Sequence, residues 1–323
     1  MKEKDIRPKK VFDKFLHLAS LDIKKYFTKA KEKINCIACG KKGHFSFKKM
    51  NFSYYRCKNC NTLFVNPRPS KSTFSNYYEK SLSIKFLATH LYKKTEQARK
   101  DKIIKPKAKM VFEILKKNKK KNYSCVDIGG GYGIFATEIS KLLKKRSVVI
   151  EPSSNLAQIC KKKKLFVIQK FLEKVKKKDL PTDKNFFTCF ELFEHVHNPS
   201  EFIKSVKQLM RKDDLFIFTT LSSTGLDILT LWEKSRSINP PHHLNFFNPK
   251  SIKIFLKKNK FKILNISTPG KIDLNILNND QRNIKDRFWK NFITLSNEAE
   301  KNKMQNLISE INFSSHLMVV CKK

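Results

Sequence analysis

Glycine is scarce in this chain: 323 residues contain only eight, and four of those stand at positions 129, 130, 131 and 133. Long apolar runs are missing too. No stretch approaches the roughly 20 apolar residues that a membrane-spanning helix needs, which excludes a helical membrane protein. The first residues, MKEKDIRPKKVFDKF, are basic but lack an apolar h-region and a small-residue cleavage site. That excludes a secretory signal and predicts a cytoplasmic protein. Acidic residues are few, 28 against 69 lysines and arginines, for a formal net charge of +41. Arginine is scarce within that excess, since lysine outnumbers it several-fold. A nucleic-acid-reading surface favours arginine, which stacks on bases and forks onto phosphate. The charge therefore reads as solvated surface on a lysine-rich composition.

What is present begins with the glycines. Val126–Phe135 reads VDIGGGYGIF: an apolar strand ending in Asp127, then Gly129-x-Gly131-x-Gly133, then a helical run. A dinucleotide fingerprint spaces its glycines G-x-G-x-x-G and brings a pyrophosphate to a helix N-terminus. Here the spacing differs, and Asp127 would repel a pyrophosphate at close range. A ligand without phosphates and with a cationic amino group would favour that carboxylate. Some 20 residues on, SVVIEPS places Glu151 at the end of a second strand, where it can accept both hydroxyls of a ribose.

From residue 124 the chain alternates strand and helix. Short apolar runs at 125–128, 147–150, 165–168, 186–190 and 215–219 read as buried parallel strands, with helices at 135–143, 155–162 and 200–210 between them. An irregular loop containing NPPHHLNFFNP (239–249) follows, then a helix at 250–259, a strand at 261–267 and a last strand at 316–321. The pattern predicts an α/β fold: a doubly wound, mostly parallel sheet whose last strand is antiparallel. Residues 123–323 form this expected domain, with a helical insertion at about 270–312. Residues 1–33 read as a basic helical extension that packs on the protein body, peripheral membrane contact being the alternative. Residues 71–122 read as a helical linker or lid, with the Tyr77–Tyr78 stretch covering a substrate.

Between them, residues 34–70 carry Cys36-x-x-Cys39 and Cys57-x-x-Cys60. Two such pairs at this separation match a four-cysteine zinc ribbon, in which the thiolates close a tetrahedron and leave no open position for chemistry. Its zinc is expected to be structural, so that chelation unfolds the ribbon locally and leaves cofactor binding intact. Phe45, Phe47, Phe52, Tyr54 and Tyr55 read as the ribbon's small core. Cys125, Cys160, Cys189 and Cys321 fall in apolar patterns and read as core.

VDIGGGYGIFA, VVIEPSS, FELFEHVHNPSEFI and HHLNFFNPKSIKIFLKKNKFKI, in this order and spacing, resemble a class I S-adenosylmethionine (SAM)-dependent methyltransferase. The ribbon followed by LFVNPRPS resembles the bacterial subgroup with a zinc ribbon ahead of that domain, which modifies small molecules, sugars and surface glycans. The resemblance implies that Asp127, Gly129 and Gly131 face the methionine part of SAM and that Glu151 holds the ribose. It places Phe171 beside the adenine and lines the path of the methyl with Phe190 and Glu191. The acceptor is expected to be a small molecule, sugar or glycan, methylated on oxygen or carbon. An RNA methyltransferase gripping RNA with its ribbon is the alternative, and a catalytically silent SAM- or partner-binding protein is a third reading.

The fourth strand ends in FELFEH and lacks the Asp/Asn-Pro-Pro-aromatic tetrapeptide of exocyclic-amine methyltransferases. His242 and His243 are the candidate general bases, because histidine titrates near neutral pH. Glu191, Glu194 and His195 resemble residues that hold a divalent cation in some O-methyltransferases. Hydrogen bonding of Glu194 and His195 to neighbouring backbone is the reading preferred here.

Overall fold

The computed structural model describes residues 2–28, 31–182 and 184–323. Residues 29 and 30 of the expected N-terminal helical extension, and Met1, lie outside the described residues. The chain divides into two compact units with interleaved segments. The first gathers residues up to 97, 221–255 and 267–317; the second holds 98–220, 256–266 and 318–323.

The second unit is built on a seven-stranded sheet. Its strands are β1 (Ser124–Ile128), β2 (Val148–Ile150), β3 (Phe166–Ile168), β4 (Asn185–Cys189), β5 (Leu215–Leu221), β6 (Lys262–Ser267) and β7 (His316–Lys322). They lie in the order β6-β7-β5-β4-β1-β2-β3. Strands β1 to β5 pair in parallel, and the sheet turns antiparallel at its β6/β7 edge. Every residue of β1, β4 and β5 is buried, which is why these strands read as mostly apolar runs with little alternation. Helix Lys105–Lys117 packs Ala108, Val111 and Leu115 against Phe135, Ile139, Phe186, Leu215 and Ile217. The strand order reverses between β1 and β4, and a doubly wound sheet opens its ligand crevice at such a switch point.

In the first unit, strands Gly43–Lys49, Phe52–Cys57 and Leu63–Val65 form an antiparallel meander. A fourth strand, Asn245–Phe246, completes this sheet by pairing with Leu63–Val65. The NPPHHLNFFNP segment is therefore more than the irregular loop expected of it. Phe47, Phe52 and Tyr54 are core, as expected, whereas Phe45 is 60% exposed and pairs edge-on with Tyr55.

Helix Lys9–Tyr26 turns Phe12, Phe15, Ala19 and Ile23 inward, so the apolar face a membrane would take is used in packing. Phe27 then meets Phe52, Phe74 and Tyr77 edge-on, each with ring centroids 5.2 Å apart. Tyr77 is fully buried there, so it is a core residue and not part of a cover. Helices Asp273–Asn279, Arg287–Leu295 and Glu298–Glu310 share an apolar cluster with Leu226 and Leu231. Among the described residues no helix is long and apolar enough to cross a membrane.

Candidate active site

The glycine turn of the second unit leads out of β1. Gly129, Gly131 and Gly133 all adopt left-handed backbone, with φ of +67°, +54° and +67°. A Cβ on Gly130 would come within 2.8 Å of Asp127 and Val149, and one on Gly133 within 2.6 Å of Leu165. These two close the turn against the sheet. At Gly131 nothing stands within 4 Å of the Cβ position, so bare backbone faces open space there. That is a cradle a ligand can approach closely.

Two carboxylates frame it. Asp127, 2% exposed at the end of β1, accepts a hydrogen bond of 2.7 Å from Thr188 Oγ1 of β4. Burial pushes its carboxyl up to about 7, against the opposing pull of the Thr188 hydrogen bond and the Lys107 ammonium. Glu151 follows β2; its Oε2 accepts from the Gly131 N–H at 3.1 Å and its Oε1 from the Ser153 N–H at 3.0 Å. Burial raises its pKa and these two N–H groups lower it. Phe171 is exposed just beyond β3.

Beyond β4 the backbone turns sharply at Glu191, a non-glycine residue at φ +53°. Its N–H donates to Thr219 Oγ1 at 3.1 Å, and the Thr219 hydroxyl donates to Glu191 Oε1 at 3.1 Å. Lys107 Nζ donates to the same Oε1 at 3.1 Å and lies 4.8 Å from the Phe190 ring centroid. The Phe190 ring in turn packs edge-on against Phe135. Lys107 was not singled out from the sequence. Its signal is a lysine beside the apolar stripe of Ile104, Ala108, Val111 and Leu115, buried with its charge facing the acidic residues. Glu194 is also buried, and burial together with the Glu191 charge pushes it up to about 8, a protonated acid at neutral pH. His195 Nε2 stands 3.8 Å from Glu194 Oε1.

The two histidines of the first unit have different settings. His242 is buried, with its Nε2 3.0 Å from the Tyr77 hydroxyl and its ring 5.5 Å from that of Phe15. His243 Nδ1 lies 2.6 Å from the Ser237 carbonyl oxygen. A carbonyl only accepts, so Nδ1 carries a proton. The Ser237 hydroxyl donates to Asp227, a carboxyl that burial and neighbouring Asp273 push up to about 7.

The cysteines of the same unit converge. Cys36 and Cys60 Sγ are 3.5 Å apart, Cys39 and Cys57 3.5 Å, and Cys39 and Cys60 3.6 Å. Four sulfurs about 2.3 Å from one tetrahedral ion stand about 3.8 Å from each other, so the cluster fits zinc. Each pair sits on a tight knuckle, closed by Gly40 N–H to Cys36 O and Asn61 N–H to Cys57 O. The hydrogen bond between Cys36 and Cys60 pulls the Cys60 thiol down and pushes the Cys36 thiol up, as two sulfurs sharing a proton do.

A family model described as a methyltransferase domain matches residues 96–266. No curated protein matches the chain. Among solved structures, the plantazolicin methyltransferase BamL, in complex with a triazolic desmethylPZN analog and SAH, is 12% identical. That match covers 77% of this chain and 93% of that one, with a TM-score of 0.51. The plantazolicin methyltransferase BpumL with a monoazolic analog and SAH is 13% identical, with the same coverage and TM-score. A possible histamine N-methyltransferase from Thermotoga maritima is 15% identical over 73% of this chain and 97% of that one, with a TM-score of 0.47. At these identities the likeness is one of fold.

Proposed function

The chain belongs to the methyltransferase-domain family and is a class I SAM-dependent methyltransferase, and from that premise we propose that its acceptor is a small molecule, sugar or glycan, methylated on oxygen or carbon. Bound over the glycine turn, SAM would supply an electrophilic methyl group on a sulfonium. Asp127 would pair with its ammonium, Glu151 with its ribose hydroxyls, and the bare backbone of Gly131 would allow the close approach. Gly129, whose Cβ position is filled by Leu192 at 2.5 Å, would contribute its backbone turn beside the methionine part. Phe171 would flank the adenine, and Phe190 and Glu191 would line the methyl path. His243, oriented by its Nδ1–H donation to the Ser237 carbonyl, is the base that would take the acceptor's proton, while buried His242 serves packing. Methyl transfer otherwise requires little beyond alignment of the acceptor with the methyl. Glu194, buried beside His195, is read as a hydrogen-bonding group that orients the loop in preference to a ligand of a divalent cation. The four cysteines would carry one structural zinc.

The observation that carries the acceptor class is the acidic end of β4. Glu191, half exposed, would stand at the methyl path, where its carboxylate, offset in part by the Lys107 ion pair, would meet the phosphates of a polyanionic RNA. Of the ribbon's aromatics, Phe47, Phe52 and Tyr54 are buried and offer bases no stacking platform, which leaves the exposed Phe45 beside Tyr55 as the surface a base could stack on.

Calorimetry tests the cofactor assignment. SAM and S-adenosylhomocysteine are expected to bind and NAD is not; tight NAD binding without a SAM response would sink it. Glu151→Ala is expected to weaken SAM binding by about 1.5–3 kcal/mol, the loss of a hydrogen bond to a charged group.

The net charge of +41 favours the second reading, RNA methylation. Weak RNA binding at low salt is expected from charge alone, and it should fall steeply as salt rises because it rests on counterion release. An RNA titration across salt, paired with methyl transfer to total RNA, separates the two readings. Tight binding at physiological salt with one RNA species methylated would overturn the small-molecule class.

A further inference from the structure

We infer that the four-cysteine knuckles set the position of His243 through Tyr54, Arg68 and Asn248, so that the metal state of the ribbon is felt at the histidine. Its bearing on methyl transfer rests on His243 being the base proposed above; the positional coupling itself does not.

The segment from His243 to Asn248 is gripped by the ribbon nearly residue by residue. The Tyr54 hydroxyl donates to the His243 carbonyl at 3.0 Å. The Leu244 carbonyl accepts from the Val65 N–H at 3.0 Å and from Arg68 Nη2 at 3.4 Å. Arg68 Nη2 also donates to Asn245 Oδ1 at 2.9 Å. Asn245 and Phe246 stand opposite Phe64 and Leu63. Asn248 Nδ2 donates to the carbonyl of Cys60 itself, at 2.9 Å. The Ser223 hydroxyl donates to the next carbonyl, that of Asn61, at 2.8 Å.

These contacts depend on the knuckle. Cys57–Thr62 is a single turn, closed by Cys57 N–H to Thr62 O and Asn61 N–H to Cys57 O. Strand Leu63–Val65 leaves it directly and sets the register of Asn245–Phe246. Strands of three and two residues have too few hydrogen bonds and too little apolar surface to persist alone, so their register is inherited from the turn. Arg68 is buried, and a buried guanidinium is tolerated only when hydrogen bonds satisfy it; two of those bonds go to the histidine segment. Four thiolates packed within 4.8 Å of one another need a cation to stay together. Without one the turn opens, and the strand and the histidine lose their common reference.

The full-length protein tests this in two arms. In the first, zinc is stripped with a chelator and amide hydrogen exchange is followed. Residues 243–247 are expected to lose protection together with 57–65, while 124–128 and 148–150 keep theirs. Exchange confined to 36–62, with 243–247 protected as before, would overturn the inference. The second arm keeps the metal and uses two mild variants, Tyr54→Phe and Asn248→Ala. Each is expected to retain one zinc and to bind SAM within twofold of the parent, yet to move the His243 imidazole resonances. Unmoved resonances in both variants would also overturn it. Transfer of labelled methyl from SAM to a small-molecule extract is expected to fall at least tenfold in these variants. If the resonances move and transfer does not fall, the coupling stands and the assignment of His243 as base fails.

Discussion

Replacing Cys57 and Cys60 together by serine is expected to take the zinc content from one ion per chain to none and to unfold much of the first unit. A serine hydroxyl does not ionise near neutral pH, so two corners of the tetrahedron disappear at once. Structural zinc sites contribute about 10–16 kcal/mol of apparent binding energy at pH 7, comparable to the whole stability of a domain. The damage should exceed the local unfolding that two isolated knuckles suggest. Asn245–Phe246 belongs to the ribbon's sheet, and Phe52, Tyr54, Leu63 and Val65 share one core with Ile23, Phe27, Phe74, Tyr77 and Ile238. SAM binding should largely survive, since the proposed cofactor residues lie between 127 and 191 and none is a ribbon residue. Metal analysis, thermal melting and SAM calorimetry on one preparation check all three points. A double variant that keeps its zinc removes the ribbon assignment, and one that loses zinc but melts unchanged removes the shared core.

The features legible beforehand are those whose physical cause lies within a few residues. The glycine turn is local, because a left-handed backbone at positions 129, 131 and 133 calls for glycine wherever the rest of the chain goes. The cysteine pairs are local for the same kind of reason, each knuckle being one turn with two residues between its ligands. The central parallel strands announce themselves because burial on both faces makes most of their residues apolar, with Asp127 and Thr188 standing out as buried polar exceptions. Other features depend on distant partners. Tyr54 meets the His243 carbonyl across 189 positions and Asn248 meets Cys60 across 188, so no window of sequence contains either contact. Asn245–Phe246, two residues long, is too short to show the alternation that marks a strand. Lys107 looks like one more lysine in a lysine-rich chain until its ammonium is seen on Glu191. The positive φ of Glu191 is hidden too, since glutamate is not a residue that pattern reading associates with left-handed backbone.

Affinity for SAM is expected to fall about fivefold from pH 7 to pH 6, where the carboxyl goes from half to about one-tenth ionised, and Asp127→Asn should abolish that dependence. In the folded protein burial raises the Asp127 carboxyl from 3.8 to about 7, so below neutrality the site holds a proton. An unfolded chain would release it near pH 4, and between these limits the folded state binds more protons than the unfolded one. The carboxyl's effect on stability therefore runs downward as pH rises from about 4 to about 7 and is constant above that. Cofactor binding runs the other way. The ammonium of SAM favours the ionised carboxylate, so each pH unit below the raised pKa removes about 1.4 kcal/mol from binding. Above roughly pH 8 the ligand's own α-amino group loses its proton, which places the affinity maximum between about 7 and 8. Glu151, also raised by burial, can add to the acid limb. Titrations at pH 6 in buffers of different protonation enthalpy should find close to one proton released per SAM bound. The Asn variant should bind about tenfold to a hundredfold more weakly at pH 7, the loss of one charged partner, with little proton release. It should also lose less stability between pH 5 and pH 8 than the parent. An affinity in the parent that does not change from pH 6 to pH 7, or an Asn variant that binds SAM as tightly as the parent, would remove Asp127 from the cofactor site.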